Sequence, residues 1–188
     1  MIIDTHLERK ILTDYFFIVG TIEDINCEYF INKINKVTPT KDNLNYKTNI
    51  IGKMTNWTYF TKDEEFKKLF IQLRDYVDLN GIFSNRYYKL KDAWGYVIDK
   101  KEYTKFHDHV PNVWSGAVYL NDHSQVLDFP QIDISVKPKK GRFILFSSFL
   151  NHGCKINNTN KLKYGLSFNC EDYNSVDQVR EIKGLNNK

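Results

Sequence analysis

The chain has 188 residues, with 27 lysines and arginines against 23 aspartates and glutamates, for a net charge of +4. That is the length of one domain with enough chain to bury a real core, and the charge is too slight to argue for nucleic acid. Three cysteines make no disulfide framework, no apolar run approaches membrane-spanning length, and Met1-Ile2-Ile3-Asp4-Thr5-His6 lacks a basic region followed by an apolar stretch. A cytoplasmic protein without a membrane partner is expected, and the aromatic share of 15% suits a well-packed globule.

From Asp24 to Val37 the residues Ile25, Tyr29, Phe30 and Ile34 fall at helical spacing and predict an amphipathic helix. Thr38 to Asn49 is polar and reads as a loop. Trp57-Thr58-Tyr59-Phe60 is an aromatic cluster beside a helix start, read as a packing anchor ahead of a substrate entrance. A second helix opens at Thr61-Lys62-Asp63-Glu64, a capping-box pattern, and carries Phe66, Leu69, Phe70, Leu73 and Val77 on one stripe. From Arg86 onward the chain turns to strands. They are expected at Tyr87–Leu90, Trp94–Ile98, Tyr103–His109, Trp114–Asn121, Ile132–Val136, Arg142–Phe146, Asn151–Ile156 and Leu162–Cys170. Asp172 to Lys188 is a polar tail with a last short helix at Val176 to Ile182. Helices first and strands later predict an α+β chain with a jelly-roll core, the helices packed on one sheet. One domain is expected: a mainly helical part over 1–84, the jelly roll over 85–172, and the tail over 173–188.

Three of the five histidines fall in one pattern, Phe106-His107-Asp108-His109 followed by Asn151-His152-Gly153. On an extended strand His107 and His109 point to the same side, and an imidazole from a distant strand could complete a facial set of metal ligands. Neutral imidazole suits iron, copper, zinc and nickel, and three protein ligands with open positions are the usual catalytic design. The third histidine follows a Pro/Gly-bracketed basic turn, Val136 to Arg142, and the apolar strand Phe143-Ile144-Leu145-Phe146. Further on, Leu162, Tyr164, Leu166 and Phe168 alternate with Lys163, Gly165, Ser167 and Asn169, while Ser115, Ala117, Tyr119 and Asn121 share another face. Opposed faces this small and polar suit a cup holding a metal and a small anion. Asn169 would be a polar wall of that cup. Trp94 and Tyr96 share a strand face that could line the cup, and aromatic core is the preferred reading; Cys154 is read as a buried small hydrophobe, and His6 and His123 as exposed.

Taken in order, these pieces resemble the Fe(II)/2-oxoglutarate dioxygenases, in their prolyl-hydroxylase-like branch. The matching residues are Trp94-Gly95-Tyr96-Val97-Ile98, His107 to His109, Ser115 to Asn121, Pro138 to Phe146, His152, and Lys163 with Ser167. The likeness is similar in kind to a little-characterised bacterial and phage group with H-x-H before Ser-Gly and Tyr-Leu. It implies a double-stranded β-helix, with His107, His109 and His152 as ligands of Fe(II). It also implies 2-oxoglutarate as cosubstrate, its far carboxylate held by Lys163 and Ser167 and with Tyr119 as a further hydrogen-bond partner. Two departures stand out. The usual His-x-Asp gives a facial triad with one carboxylate, whereas the third place here is His109; Asp108 faces away on a regular strand and would need a bulge to replace it. Lys163 stands where most relatives have arginine, so the bidentate fork is lost but the cation is kept.

The resemblance implies a hydroxylase that consumes 2-oxoglutarate and dioxygen and acts on a C–H bond of a protein residue, prolyl favoured, or of a small amino-acid-like molecule. The alternatives are a cupin-like three-histidine metal protein, a dioxygenase that does not use 2-oxoglutarate, or an inactive binding module. The pairing of Lys163 with Ser167 favours the first reading.

Overall fold

A computed structural model describes residues 2–8, 15–37, 48–81 and 88–172. The short helix expected over 176–182 and the side chain of His6 lie outside this description. Helix α1 (Cys27–Lys36) starts where the Asn26 side chain accepts the Tyr29 N–H at 3.1 Å, and it buries Cys27, Phe30 and Ile34. Helix α2 (Glu64–Leu79) buries Phe66, Leu69, Leu73 and Val77, the expected stripe. Its cap is Asp63, whose carboxylate accepts the Phe66 N–H at 2.9 Å, and not Thr61. The Thr61 hydroxyl is engaged in the preceding turn, donating to the Thr58 carbonyl at 2.8 Å.

Among the described residues, twelve strands form two antiparallel sheets. They are β1 (Ile2–Glu8), β2 (Phe17–Ile22), β3 (Ile50–Ile51), β4 (Lys53–Met54), β5 (Tyr88–Ile98), β6 (Tyr103–His107), β7 (Trp114–Tyr119), β8 (Leu127–Phe129), β9 (Ile134–Val136), β10 (Arg142–Ser147), β11 (His152–Cys154) and β12 (Lys163–Asp172). The larger sheet runs β1-β2-β10-β7-β12-β5-β4 and the smaller runs β3-β6-β11-β8-β9. This is the jelly roll of a double-stranded β-helix. Gly141, at φ 77°, closes the basic turn before β10 as the Pro/Gly bracket predicts.

The N-terminal part is less helical than expected, since β1 to β4 also come from it. Phe16-Phe17-Ile18-Val19 is a continuous apolar run because β2 is covered on both faces, so it shows no alternation to read. β3, β4 and β8 are only two or three residues long, too short for any period. The two strands expected at Tyr87–Leu90 and Trp94–Ile98 are one strand, β5, pairing with β12 from Tyr88 to Ile98 with a single irregularity between Asn169 and Cys170.

Three layers result: helices, large sheet, small sheet. Between helices and large sheet lies the main core, in which Phe30, Ile34, Phe66 and Leu73 meet Ile18, Val118, Phe143, Leu145, Leu166 and Phe168. Between the sheets are two smaller clusters, one around Phe17, Phe129, Ile144 and Phe146 and the other around Ile50, Met54, Trp94, Tyr96 and Ile98.

Asp63 joins the two helices. Besides capping α2 it accepts the Tyr29 hydroxyl at 2.8 Å and the Lys33 ammonium at 2.5 Å, both from α1. Burial pushes its carboxyl up, but Lys33, the Phe66 N–H and Tyr29 together outweigh burial and hold it below the ordinary value of 3.8. A depressed folded-state value stabilises the fold fully above the ordinary carboxylate range, and that contribution is lost as pH falls through the folded value. Asp63→Ala should cost roughly 1–3 kcal/mol by urea unfolding at neutral pH, from the lost cap and the stranded donors. The gap to wild type should shrink in acid; a gap constant down to the acid transition would contradict this role.

Candidate metal centre

β6 ends at His107, and its antiparallel partner β11 begins at His152, so the two residues stand directly opposite one another. Their rings lie 4.5 Å apart between centroids. His109 is not on the strand, contrary to the period-two expectation. It has passed beyond the end of β6, where its N–H donates to the Ser148 carbonyl at 2.8 Å and its own carbonyl accepts the Asn112 side-chain amide at 2.6 Å. That loop still carries the ring inward, onto His152, at 4.9 Å and nearly parallel. One ligand nitrogen from each of the three histidines falls within 4.8 Å of the others. Asp108, by contrast, is exposed, and its carboxylate accepts the Val110 N–H at 3.1 Å.

The surroundings fix which nitrogen each ring offers. The Nδ1 atoms of His107 and His152 lie 2.7 and 2.9 Å from the Lys105 and Leu150 carbonyls, so each Nδ1–H donates and each Nε2 keeps its lone pair. Asn169 stands beside the His109 ring and tends to raise its pKa against the larger lowering by burial. Asn169 is itself held, its amide oxygen accepting from Ser115 at 2.8 Å and its nitrogen donating to Asp92 at 3.3 Å. Burial is the chief reason all three imidazoles favour the neutral form, with His152 pushed down to about 3 and His109 also lowered by its two histidine neighbours.

These residues fit a divalent transition metal. The Nε2 atoms of His109 and His152 are 3.1 Å apart. Two nitrogens bound at about 2.1 Å and at right angles stand about 3 Å apart. His107, His109 and His152 would hold such an ion, and the set carries no negative charge.

The cavity beside the histidines is walled by Trp94, Tyr96, Ala117, Ser167, Thr104 and Cys154, with Trp57, Thr48 and Asn49 also on its lining. Lys163 is 1% exposed and its ammonium lies 3.2 Å from the Cys154 sulfur. It shares the inner face of β12 with Ser167, yet four strand positions separate them, about 13 Å along the backbone. Ser167 pairs in register with Trp94 and Ala117, at the histidine end, so the two expected carboxylate holders are spread along the strand rather than side by side. Tyr119 is fully buried and sits close enough to Tyr96 and Cys154 for both to raise its hydroxyl further, after burial itself.

Trp94 and Tyr96 are buried as the core reading expects, and the face they share is also the cavity wall, the alternative that their shared strand face allowed. Trp57 also lines the cavity, and Thr48 and Asn49 come from a stretch read only as loop. The Asp92–Asn169–Ser115 chain has no local signal, because its members come from three strands. His123 is buried and not exposed: its Nδ1 accepts the Gln125 N–H at 2.9 Å and its Nε2 meets the Lys161 carbonyl at 3.0 Å, pinning two loops away from the centre.

The fold and the three facing imidazoles define a double-stranded β-helix protein with a candidate metal centre between its sheets. No family model matches the chain, and no curated protein matches it. Solved structures do. The viral collagen prolyl hydroxylase of Paramecium bursaria Chlorella virus-1, in complex with 2-oxoglutarate, superimposes with a TM-score of 0.62 at 20% identity, over 83% of this chain and 94% of that one. HygX of Streptomyces hygroscopicus, with nickel, 2-oxoglutarate and hygromycin B bound, gives 0.62 at 11% identity, over 85% and 83%. A prolyl hydroxylase from Trichoplax adhaerens, in complex with a hypoxia-inducible-factor peptide fragment, gives 0.60 at 14% identity, over 92% and 87%. At these identities the likeness is one of fold.

The purified protein should bind one divalent transition metal per chain. His152→Ala should abolish stoichiometric uptake of Fe(II) or Co(II), while Asp108→Ala should leave it within about twofold of wild type, since its carboxylate points to solvent; anaerobic titration with elemental analysis of the dialysed protein measures both. Equal loss of metal in Asp108→Ala and His109→Ala would remove His109 from the ligand set.

Proposed function

We propose that this protein is an Fe(II)- and 2-oxoglutarate-dependent dioxygenase that hydroxylates a C–H bond. The observation that carries this reading is the burial of Lys163 behind Cys154, a residue that lines the three-histidine cavity. Among the described residues its ammonium has no carboxylate within ion-pair distance; its recorded partner is a thiol. Burying an uncompensated charge costs several kcal/mol. An anion entering the cavity would offset that cost, and a dicarboxylate is the ligand that joins a metal at one end to a cation at the other.

When bound, Fe(II) couples the oxidative decarboxylation of 2-oxoglutarate by dioxygen to hydroxylation of the substrate. His107, His109 and His152 would hold the metal, and Lys163 the far carboxylate. The Lys105 and Leu150 carbonyls and Asn169 keep the three rings in their ligating orientation. Phe146, Leu127 and Trp94 keep water from the centre. Ser167 belongs to the cavity wall, towards the metal end, and Tyr119 is buried in the adjoining core beside Tyr96 and Cys154. The neutral ligand set leaves a bound Fe(II) one unit more positive than the two-histidine, one-carboxylate set would, which favours a dianionic cosubstrate.

Within this reading a prolyl or other residue of a protein is the favoured substrate, and a small amino-acid-like molecule comes next. Support for the former comes from the fold neighbours, two of which are prolyl hydroxylases by name. A three-histidine metal protein that ignores 2-oxoglutarate remains the second reading, favoured by the missing carboxylate ligand.

Lys163→Ala should weaken 2-oxoglutarate binding ten- to a hundredfold, the loss of one charge-assisted hydrogen bond worth about 1.5–3 kcal/mol. Iron binding should survive. Anaerobic titration of the Fe(II) protein, followed by its visible charge-transfer band, measures both; unchanged 2-oxoglutarate affinity with iron intact would favour the second reading.

A further inference from the structure

Trp94 is 3% exposed, yet its indole nitrogen, a donor with no acceptor capacity, has no hydrogen-bond partner. A buried N–H left unpaired costs free energy comparable to a lost hydrogen bond, and such groups are rare enough to need a cause. The indole is not loose. It stacks on His109 at 6.1 Å between centroids and 30° between planes, and Trp57 meets it edge-on at 4.5 Å. It lines the histidine cavity, and in register it lies opposite Ser167 on β12.

Position along β12 orders the residues around and behind the cavity. Asn169 stands behind His109, Ser167 and Trp94 come next, and Lys163 lies at the far end. A ligand with an oxygen-rich group at each end, one on the metal and one on Lys163, therefore has its metal end beside the indole. We infer that Trp94 is a ligand-binding residue whose Nε1–H donates to a carboxylate oxygen at the metal-proximal end of 2-oxoglutarate. The inference rests on the proposed function. It gives the otherwise orphaned donor an anionic acceptor, the strongest kind. It also supplies a fixed partner to the carboxylate in a centre whose three protein ligands are all neutral.

The test is nuclear magnetic resonance on ¹⁵N-labelled protein loaded with diamagnetic Zn(II) in place of iron. The three tryptophans, Trp57, Trp94 and Trp114, give three indole N–H signals. That of Trp94 is assigned by its absence in Trp94→Phe or, should that variant not fold, by its through-space contact to the His109 ring in the wild type. On titration with 2-oxoglutarate the Trp94 signal should move downfield and its exchange with water should slow. In the Fe(II) protein, Trp94→Phe should bind 2-oxoglutarate at least tenfold more weakly with metal affinity retained, and Trp94→His, which keeps a ring N–H, should recover part of the loss. If 2-oxoglutarate binds and the Trp94 signal stays still, or Trp94→Phe binds it as tightly as wild type, Trp94 only packs against His109 and the inference falls alone. If the metal-loaded wild type binds no 2-oxoglutarate at all, the proposed function fails and takes the inference with it.

Discussion

The pairing of β11 with β6 places His152 opposite His107, and the rest of the centre is arranged around that one register. Because side chains alternate, a slip of a single residue would turn His152 to the outer face and bring Asn151 or Gly153 inward. Gly153 shows how tightly the register is held from the other side. A Cβ there would come within 2.9 Å of the Phe106 ring, so the exposed face of the small sheet is packed to fit this alignment. Two backbone carbonyls then lock the rings, and a loop anchored on Ser148 delivers the third imidazole.

The large sheet answers with a division of labour between its faces. Towards the helices, Leu166, Phe168, Val118 and Leu145 pack into the main core. Gly116 is needed there, since a Cβ would sit 2.2 Å from the Phe168 ring. Towards the small sheet the same strands present Ala117 and Ser167, which are too small to fill the gap, so a cavity remains beside them. The helices matter to the site only indirectly. They seal one face of the sheet so that the other can be left concave, and the Asp63 clamp holds them together.

Electrostatically the centre is unusual in having no carboxylate at the ligand positions. The acidic group nearest in sequence, Asp108, is spent on a turn. The one connected to a ligand, Asp92, acts through Asn169 and leaves the His109 ring neutral. The three neutral imidazoles therefore bring no negative charge to offset the buried Lys163 ammonium, which rests against Cys154 of the cavity lining.

How much of this could be read from the residues depends on the range of the interaction concerned. The helix stripes, the Pro138–Gly141 turn and the alternation of β12 follow from local spacing, because period and turn chemistry act over a few residues. Where such signals were short or absent, the reading failed: β2 lacks alternation since both its faces are covered, β3, β4 and β8 are too brief to have a period, and Thr61 lost the cap to Asp63, which two residues of α1 also bind. The grouping of the three histidines was legible, but the reason given for His109 was not the operative one. A regular strand would have carried it inward by alternation; in fact the strand stops, and a hydrogen bond to Ser148, 39 residues on in sequence, carries it there. Likewise Trp94 and Tyr96 were recognisable as buried aromatics from the sequence alone, whereas their place on a cavity wall depends on what the opposing sheet leaves unfilled. Composition and spacing determined which residues are buried and which repeat together. Only the packing of one sheet on the other decided which buried residues face protein and which face the space between, because that distinction belongs to two surfaces at once and to neither stretch of chain alone.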